Sequence, residues 1–391
     1  MNFILFDNID VRNNLLPLTY FRPVAEIRCG ILTIREKWEK ALLQPVSYLT
    51  EKYLQEKFPA KYTTDNTYIN ASLFPDKRLI ESILNLKKND VLVQNSQIIA
   101  FRTSEIDFES AQNFKGNTIE FSPEVDGINH TYDIFNKNHQ QIHIDFVNIT
   151  KNKKTEILSK TNTIIGKFPV FIEKGAKIEA CIINAEEGPV YFGENSVILE
   201  GSMIRGPFAA LEHSVVKMGA KIYGGTTIGP HSKVGGEIQG SVFFGYSNKG
   251  HDGYLGNSVI AEWCNLGADT NNSNLKNNYS KVKMWNYPQQ NFVDTGLQFC
   301  GLIMGDHSKC GIATMFNTGT VVGVNSNIFG GDFQPKFFPS FKWGNQEFVD
   351  YRFDKALEVA KAVMKRRNVE FDKKEQKLFE EIYKLTKIKE N

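Results

Sequence analysis

The chain has 391 residues, 41 % hydrophobic, 23 % charged and 12 % aromatic, which excludes a lone small module and a disordered or fibrous chain. Its 46 Lys and Arg nearly balance 44 Asp and Glu, a net charge of +2, so no field points to nucleic acid or an anionic membrane; small-molecule partners are expected. No apolar run reaches the about 18 residues of a membrane span, and Met1 to Asp7 lacks the charged and small-residue regions of a signal peptide, so a cytoplasmic location is expected.

Residues 1–150 alternate short apolar runs, Phe3 to Phe6 and Asp90 to Val93, with helical periodicity around Leu32 to Leu43 and Lys77 to Leu86. This is the pattern of an α/β layer domain. A polar basic connector, Thr150 to Lys154, marks its end. Beyond Ile164 apolar residues recur every sixth position: Phe192, Ile198 and Ile204, then Val216, Ile222, Ile228 and Val234, then Met304, Cys310, Phe316, Val322 and Ile328. A period of six is not that of a helix. It is the signature of a parallel β-helix in which three hexapeptides close a triangular coil of about 18 residues, each apolar residue pointing into the prism. A left-handed β-helix of roughly nine coils is expected over 160–345, interrupted around His251 to Tyr287, where charge, Asn and aromatics replace the clean repeat. After Trp343 the chain turns helical, Tyr351 to Arg367 and Lys373 to Lys387, and 346–391 is read as a helical tail that caps the solenoid, with phosphate contact by Lys365, Arg366 and Arg367 as the alternative. The five cysteines are widely spaced and contain no C-x-x-C, so they are read as reduced thiols.

The interrupted segment carries the chemistry. A nucleophile that must lose a proton near neutral pH needs a base, and histidine is the side chain whose ordinary pKa suits that task. His251, in a Gly-rich polar loop between Lys249 and Asp252, is the candidate. Asn265, Asn274 and the Gly267-Ala268 backbone are candidate donors to the oxyanion of the tetrahedral intermediate.

Asn248-Lys249-Gly250-His251, Tyr254-Leu255-Gly256, Asn265-Leu266-Gly267-Ala268, Thr270 and Asn274 together resemble, without insertion or deletion, the acetyltransferase motif of the bifunctional sugar-1-phosphate nucleotidyltransferase and amino-sugar-1-phosphate N-acetyltransferase family. The order of an α/β domain before a β-helix agrees. The resemblance implies His251 as general base oriented by Asn274, Tyr254 and Asn265 against the sugar, acetyl-CoA as donor, and a side-by-side homotrimer. It places cations for the sugar phosphate near Lys281 and Lys283, with Arg205 and Lys217 on earlier coils. At the N-terminus the family's glycine-rich phosphate loop is replaced by Phe3 to Arg12, followed by Pro17-Leu18-Thr19 and Arg22. Arg12 and Arg22 are then the candidate nucleotide-binding residues. The strand and turn Tyr68 to Leu73 lacks the family's Mg²⁺-binding Asp, leaving Asp133 and Asp145 as substitutes and the metal site unassigned.

The function expected is acetylation of a hexosamine 1-phosphate, glucosamine 1-phosphate foremost, with transfer of UMP to the sugar 1-phosphate as an added activity that would need Mg²⁺. The alternatives are nucleotidyl transfer alone, forming a UDP- or dTDP-sugar, and a non-catalytic sugar-nucleotide sensor. A third rival, the zinc-binding γ-class carbonic anhydrase, shares the β-helix, but His213, His231, His251 and His307 lack its close histidine pair.

Overall fold

A computed structural model describes residues 1–390. Two compact units emerge from the packing: Met1–Ile27 with Leu32–His130 and Asp372–Ile382, and Arg28–Ile31 with Thr131–Phe371 and Tyr383–Asn391.

In the first unit the apolar runs become strands β1 (Asn2–Phe6), β2 (Ser47–Leu49), β3 (Asn66–Asn70), β4 (Asp90–Gln94), β5 (Gln97–Thr103) and β6 (Asn117–Glu120), in the order β2-β1-β3-β5-β4-β6. β1 runs parallel to β2 and β3, whereas β5 is antiparallel to both its neighbours. Helices α1 (Ile9–Asn14), α2 (Ile34–Leu42), α3 (Lys77–Leu84) and α4 (Phe108–Ala111) connect them. α2 starts where Thr33 and Glu36 form a reciprocal capping box, and its indole, Trp38, is fully buried with Nε1 donating to the Leu73 carbonyl at 2.8 Å.

The second unit opens with α5 (Thr131–Thr150). The expected domain boundary near 150 thus falls at the end of a helix that packs with the solenoid. Asn138, fully buried on α5, accepts the Gly30 N–H at 2.6 Å and donates to the Gly225 carbonyl at 2.8 Å and Thr227 Oγ1 at 3.0 Å. Asp145 accepts the Ile31 N–H at 2.8 Å. Gly30, at φ +91°, is required here: a Cβ would lie 2.4 Å from the Asp145 carboxylate.

The hexapeptide step then builds a parallel β-helix with sheets of six, nine and ten strands. The apolar residues of all three runs, from Phe192 to Ile328, lie in one buried cluster at its centre. In the first sheet Ile183, Ile204, Ile222, Ile238 and Leu255 stack in register. At one corner His213, His231, Tyr246, Trp263 and His307 stack nearly parallel, with centroids 4.2–6.0 Å apart and φ between +53° and +63°.

The interruption is shorter than expected. Residues 251–272 stay in the coil, because Leu255, Ile260 and Leu266 keep the inward period. The chain leaves the prism after Asn274 for the antiparallel hairpin Lys283–Asn286 and Asn291–Asp294, and returns where the Gly301 N–H bonds the Asn257 carbonyl at 2.9 Å.

The last coil is covered by its own chain. Val349–Asp350 pairs antiparallel with Lys342–Gly344, Phe348 packs on Phe338, and Ser340 hydrogen-bonds the Glu390 carboxylate. The helical tail covers this end as expected and also extends beyond it: Phe353, at the start of α6 (Phe353–Arg366), packs on Phe341 of the last coil, and the helix then runs back along the flank, where Arg367, just past its C-terminus, reaches Asn248 four strands earlier in the third sheet. Fourteen residues at about 1.5 Å each match four strand spacings of about 4.8 Å. α7 (Lys373–Lys389) completes the tail.

Candidate functional site

His251 is exposed at the corner between the strand Asn248–Lys249 of the third sheet and Tyr254–Gly256 of the first. The turn is tight: Gly253 has φ +110°, and a Cβ there would lie 2.3 Å from the Thr270 carbonyl. Beside it the side chains converge in a polar net. Tyr254 Oη accepts from Asn274 Nδ2 at 2.9 Å and donates to Gln239 Oε1 at 3.0 Å. Asn274, 9 % exposed, also donates to Asn257 Oδ1 at 2.8 Å. Burial pushes the Tyr254 phenol up, so it stays a neutral donor. Among the described residues no hydrogen bond joins Asn274 to His251, so the orienting contact expected between them is absent in this state; the amide serves Tyr254.

Asn265 is exposed on the outer face of the third sheet, in register with Asn248 and Lys309. That face is basic. Burial holds the Lys233 ammonium below its ordinary value, and repulsion from Arg367, Lys217 and Arg366 adds to it; Arg367 Nη2 also donates to Asn248 Oδ1 at 3.0 Å.

The other predicted cations lie elsewhere. Lys281 and Lys283 are exposed on the hairpin excursion and its approach, their carbonyls accepting from Lys276 and Lys336. Arg205 shares the first sheet with Tyr254 but sits three strands away, roughly 14 Å, and pairs with Glu187 at 2.9 Å.

In the first unit Arg12 is 3 % exposed: it pairs with the buried Asp7 at 2.8 Å and donates to the Thr19 and Arg22 carbonyls and Tyr53 Oη. Arg22 is equally buried, donating to the Leu18 carbonyl at 3.1 Å. Neither guanidinium faces solvent here, so in place of the expected phosphate contacts both brace the loop that stands where a glycine-rich turn would.

The fit for Mg²⁺ is poor. Asn70 ends β3, its Oδ1 engaged by the Ser72 N–H and hydroxyl, and Asp145 is committed to Ile31. No three His, Cys, Asp or Glu side chains cluster as metal ligands among the described residues. No metal-dependent step follows from this arrangement.

The motif contained more than its spacing disclosed. Gln239 and Asn257 complete the tyrosine net, and Asn272 turns inward, accepting the Gly256 N–H at 2.8 Å. Lys249 occupies the inward slot that Val234 fills one coil earlier. A polar residue at an inward hexapeptide position is the signal that finds both.

Residues 3–154 match the family model described as sugar nucleotidyl transferase. The bifunctional protein GlmU of Methanococcus aeolicus is 37 % identical over 92 residues, 24 % of this chain and 22 % of that protein. That of Methanocaldococcus jannaschii is 34 % identical over 89 residues, 23 % and 21 %. The matched part therefore spans about a fifth of the length of these curated relatives. Among solved structures, the polySia specific acetyltransferase NeuO aligns at a TM-score of 0.27 and 16 % identity, over 49 % of this chain and 87 % of that one. The Arabidopsis UDP-N-acetylglucosamine acyltransferase aligns at 0.20 and 15 %, over 54 % and 77 %. Among the described residues no helix is long and apolar enough to cross a membrane. An α/β unit whose residues match the sugar nucleotidyl transferase model thus precedes a parallel β-helix with His251 at one corner.

Proposed function

We propose that this chain is an N-acetyltransferase that moves the acetyl group of acetyl-CoA to the amine of a hexosamine 1-phosphate, glucosamine 1-phosphate being the acceptor to test first. The observation that carries the reading is the exposed His251 standing on a tight coil corner beside the Tyr254–Asn274 pair. In this reading His251 takes a proton from the ammonium-derived amine as nitrogen attacks the thioester carbonyl. The tetrahedral oxyanion is met by neutral donors, backbone N–H groups and Asn side chains. Its collapse breaks the C–S bond, and the proton leaves with the coenzyme thiol. Tyr254 and Asn265 hold the sugar. Lys217, Lys233, Arg366 and Arg367 form the basic flank to which we assign a phosphate of substrate or coenzyme. A homotrimer belongs to the same reading; light scattering at three times 44.4 kDa checks it.

The test is release of free coenzyme thiol from acetyl-CoA and glucosamine 1-phosphate by the wild type and by His251→Ala. We expect turnover that falls by about 10²–10⁴-fold in the variant, the usual worth of a positioned base. Equal rates would remove His251 from the chemistry.

A second reading, nucleotidyl transfer to the sugar 1-phosphate, is favoured by the family match over residues 3–154. Pyrophosphate release from UTP and a hexosamine 1-phosphate with added Mg²⁺ tests it separately. Binding without either product would leave a sugar-nucleotide sensor.

A further inference from the structure

We propose that Lys249 is the positioning residue of the proposed acetyltransferase site: from inside the prism its ammonium grips the backbone of the turn that carries His251. The proposal rests on the reading of His251 as the base.

The argument begins with the slot. In the third sheet Ile178, Ile198, Val216 and Val234 stack inward in register, and Lys249 follows Val234. Leu266, Cys310 and Ile328 continue the column above it. Lys249 alone in this column is charged, and it is 1 % exposed, among the largest fully buried side chains of the protein. An ammonium withdrawn from water is costly unless it is hydrogen-bonded, and a valine or leucine would fill this slot without that cost, as in the adjoining coils. Packing therefore does not account for it.

Its bonds do. Nζ donates to the His251 carbonyl at 2.7 Å and to the Asp252 carbonyl at 2.7 Å. The Asp252 carbonyl also accepts the Asp269 N–H at 3.1 Å from the next coil. The two peptide planes that follow His251 and Asp252 are thus fixed from within, and they set the direction in which the imidazole leaves the chain. The adjoining coils hold the same turn by backbone bonds, the Glu237 N–H donating to the Gly253 carbonyl at 3.1 Å, while its solvent side is open at Gly250, where a Cβ would meet no atom within 4 Å. The approach to His251 is left clear for a substrate, and Lys249 adds a side-chain hold from the core.

The experiment compares wild type, Lys249→Met and His251→Ala by coenzyme thiol release, thermal melting and amide hydrogen exchange of residues 250–253. Methionine keeps the length and apolar volume of lysine and removes the donor. We expect Lys249→Met to melt no lower than wild type, to lose at least tenfold in kcat with KM for acetyl-CoA within twofold, and to exchange the turn amides at least tenfold faster. A purely structural lysine would lower the melting temperature and leave kcat of the folded fraction intact, which overturns the proposal. So would wild-type kcat and exchange together. If the wild type releases no thiol with any hexosamine 1-phosphate, the reading of His251 fails, and exchange alone decides Lys249: faster exchange upholds the grip, unchanged exchange removes it. If the methionine variant does not fold, the wild-type ammonium itself is observed at pH 6 by ¹H–¹⁵N spectroscopy. A Lys249 signal protected from solvent exchange supports the grip, and a freely exchanging one overturns it.

Discussion

At the scale of single residues, Gly256 shows how closely the tyrosine net is fitted. A Cβ there would lie 2.3 Å from Tyr254 Oη and 2.7 Å from Asn274 Nδ2, so alanine must push the phenol off the amide. One net hydrogen bond is worth about 1 kcal/mol, and about 1.4 kcal/mol is tenfold in affinity. We therefore predict that Gly256→Ala raises KM for the sugar phosphate by about fivefold to tenfold, with the melting temperature little changed; steady-state kinetics in the acceptor checks it. Lys249 makes a second prediction at this scale. Burial pushes its ammonium down to about 8, against the favourable charges of Asp252 and Asp269. Between that value and the ordinary lysine value of about 10.4, the unfolded chain binds a proton that the folded chain has released. Stability contributed by this residue is therefore lowest below pH 8 and rises through that window. Urea midpoints from pH 7 to 10 will show this rise in wild type, and Lys249→Met will lack it. His251 was a candidate from its residue type in a polar loop and Tyr254 from the family resemblance alone, whereas the bond between Tyr254 and Asn274 is disclosed only by the fold. The inward placement of Lys249 is missed when the six-residue period is followed through its aliphatic positions only, although a lysine falling on that period is itself the signal.

At the scale of elements, the coil was legible because each apolar position of the repeat faces the same interior, from Phe192 to Ile328. The excursion was misplaced for a related reason: polarity marks outward faces as readily as departures, so the motif residues up to Asn272 read as an interruption although Leu255, Ile260 and Leu266 keep the prism closed. Helix α5 was harder still. Its attachment depends on buried polar bonds that no hydrophobic pattern discloses. Asn138 uses its carbonyl on Gly30 and its amide on Gly225 and Thr227. Replacing it with leucine leaves those buried groups unpaired, at about 1–3 kcal/mol each when water cannot reach them. We predict that Asn138→Leu destabilises the second unit by about 2–4 kcal/mol, read as a lower denaturant midpoint with an unchanged slope.

At the scale of the whole molecule, the two compact units carry different kinds of proposed chemistry, and one buried ion pair allows them to be tested apart. Asp7, just past the end of β1, pairs with Arg12 of α1, and both are almost wholly buried. The strands and helices were legible there from the apolar periodicity, whereas the pairing of Asp7 with Arg12 was not, because it depends on buried polar contacts that no hydrophobic pattern discloses. Removing one partner of a buried pair leaves the other charge uncompensated, at about 3–5 kcal/mol. We predict that Arg12→Ala lowers the unfolding transition of the first unit and leaves that of the β-helix in place, giving two resolved steps in calorimetry. Below the first step, thiol release that depends on His251 should persist within twofold of wild type, because no group in its assigned chemistry comes from residues 1–27. Loss of thiol release together with the first transition would mean instead that the α/β unit is required for acyl transfer, and the division of labour proposed for the two units would have to be abandoned.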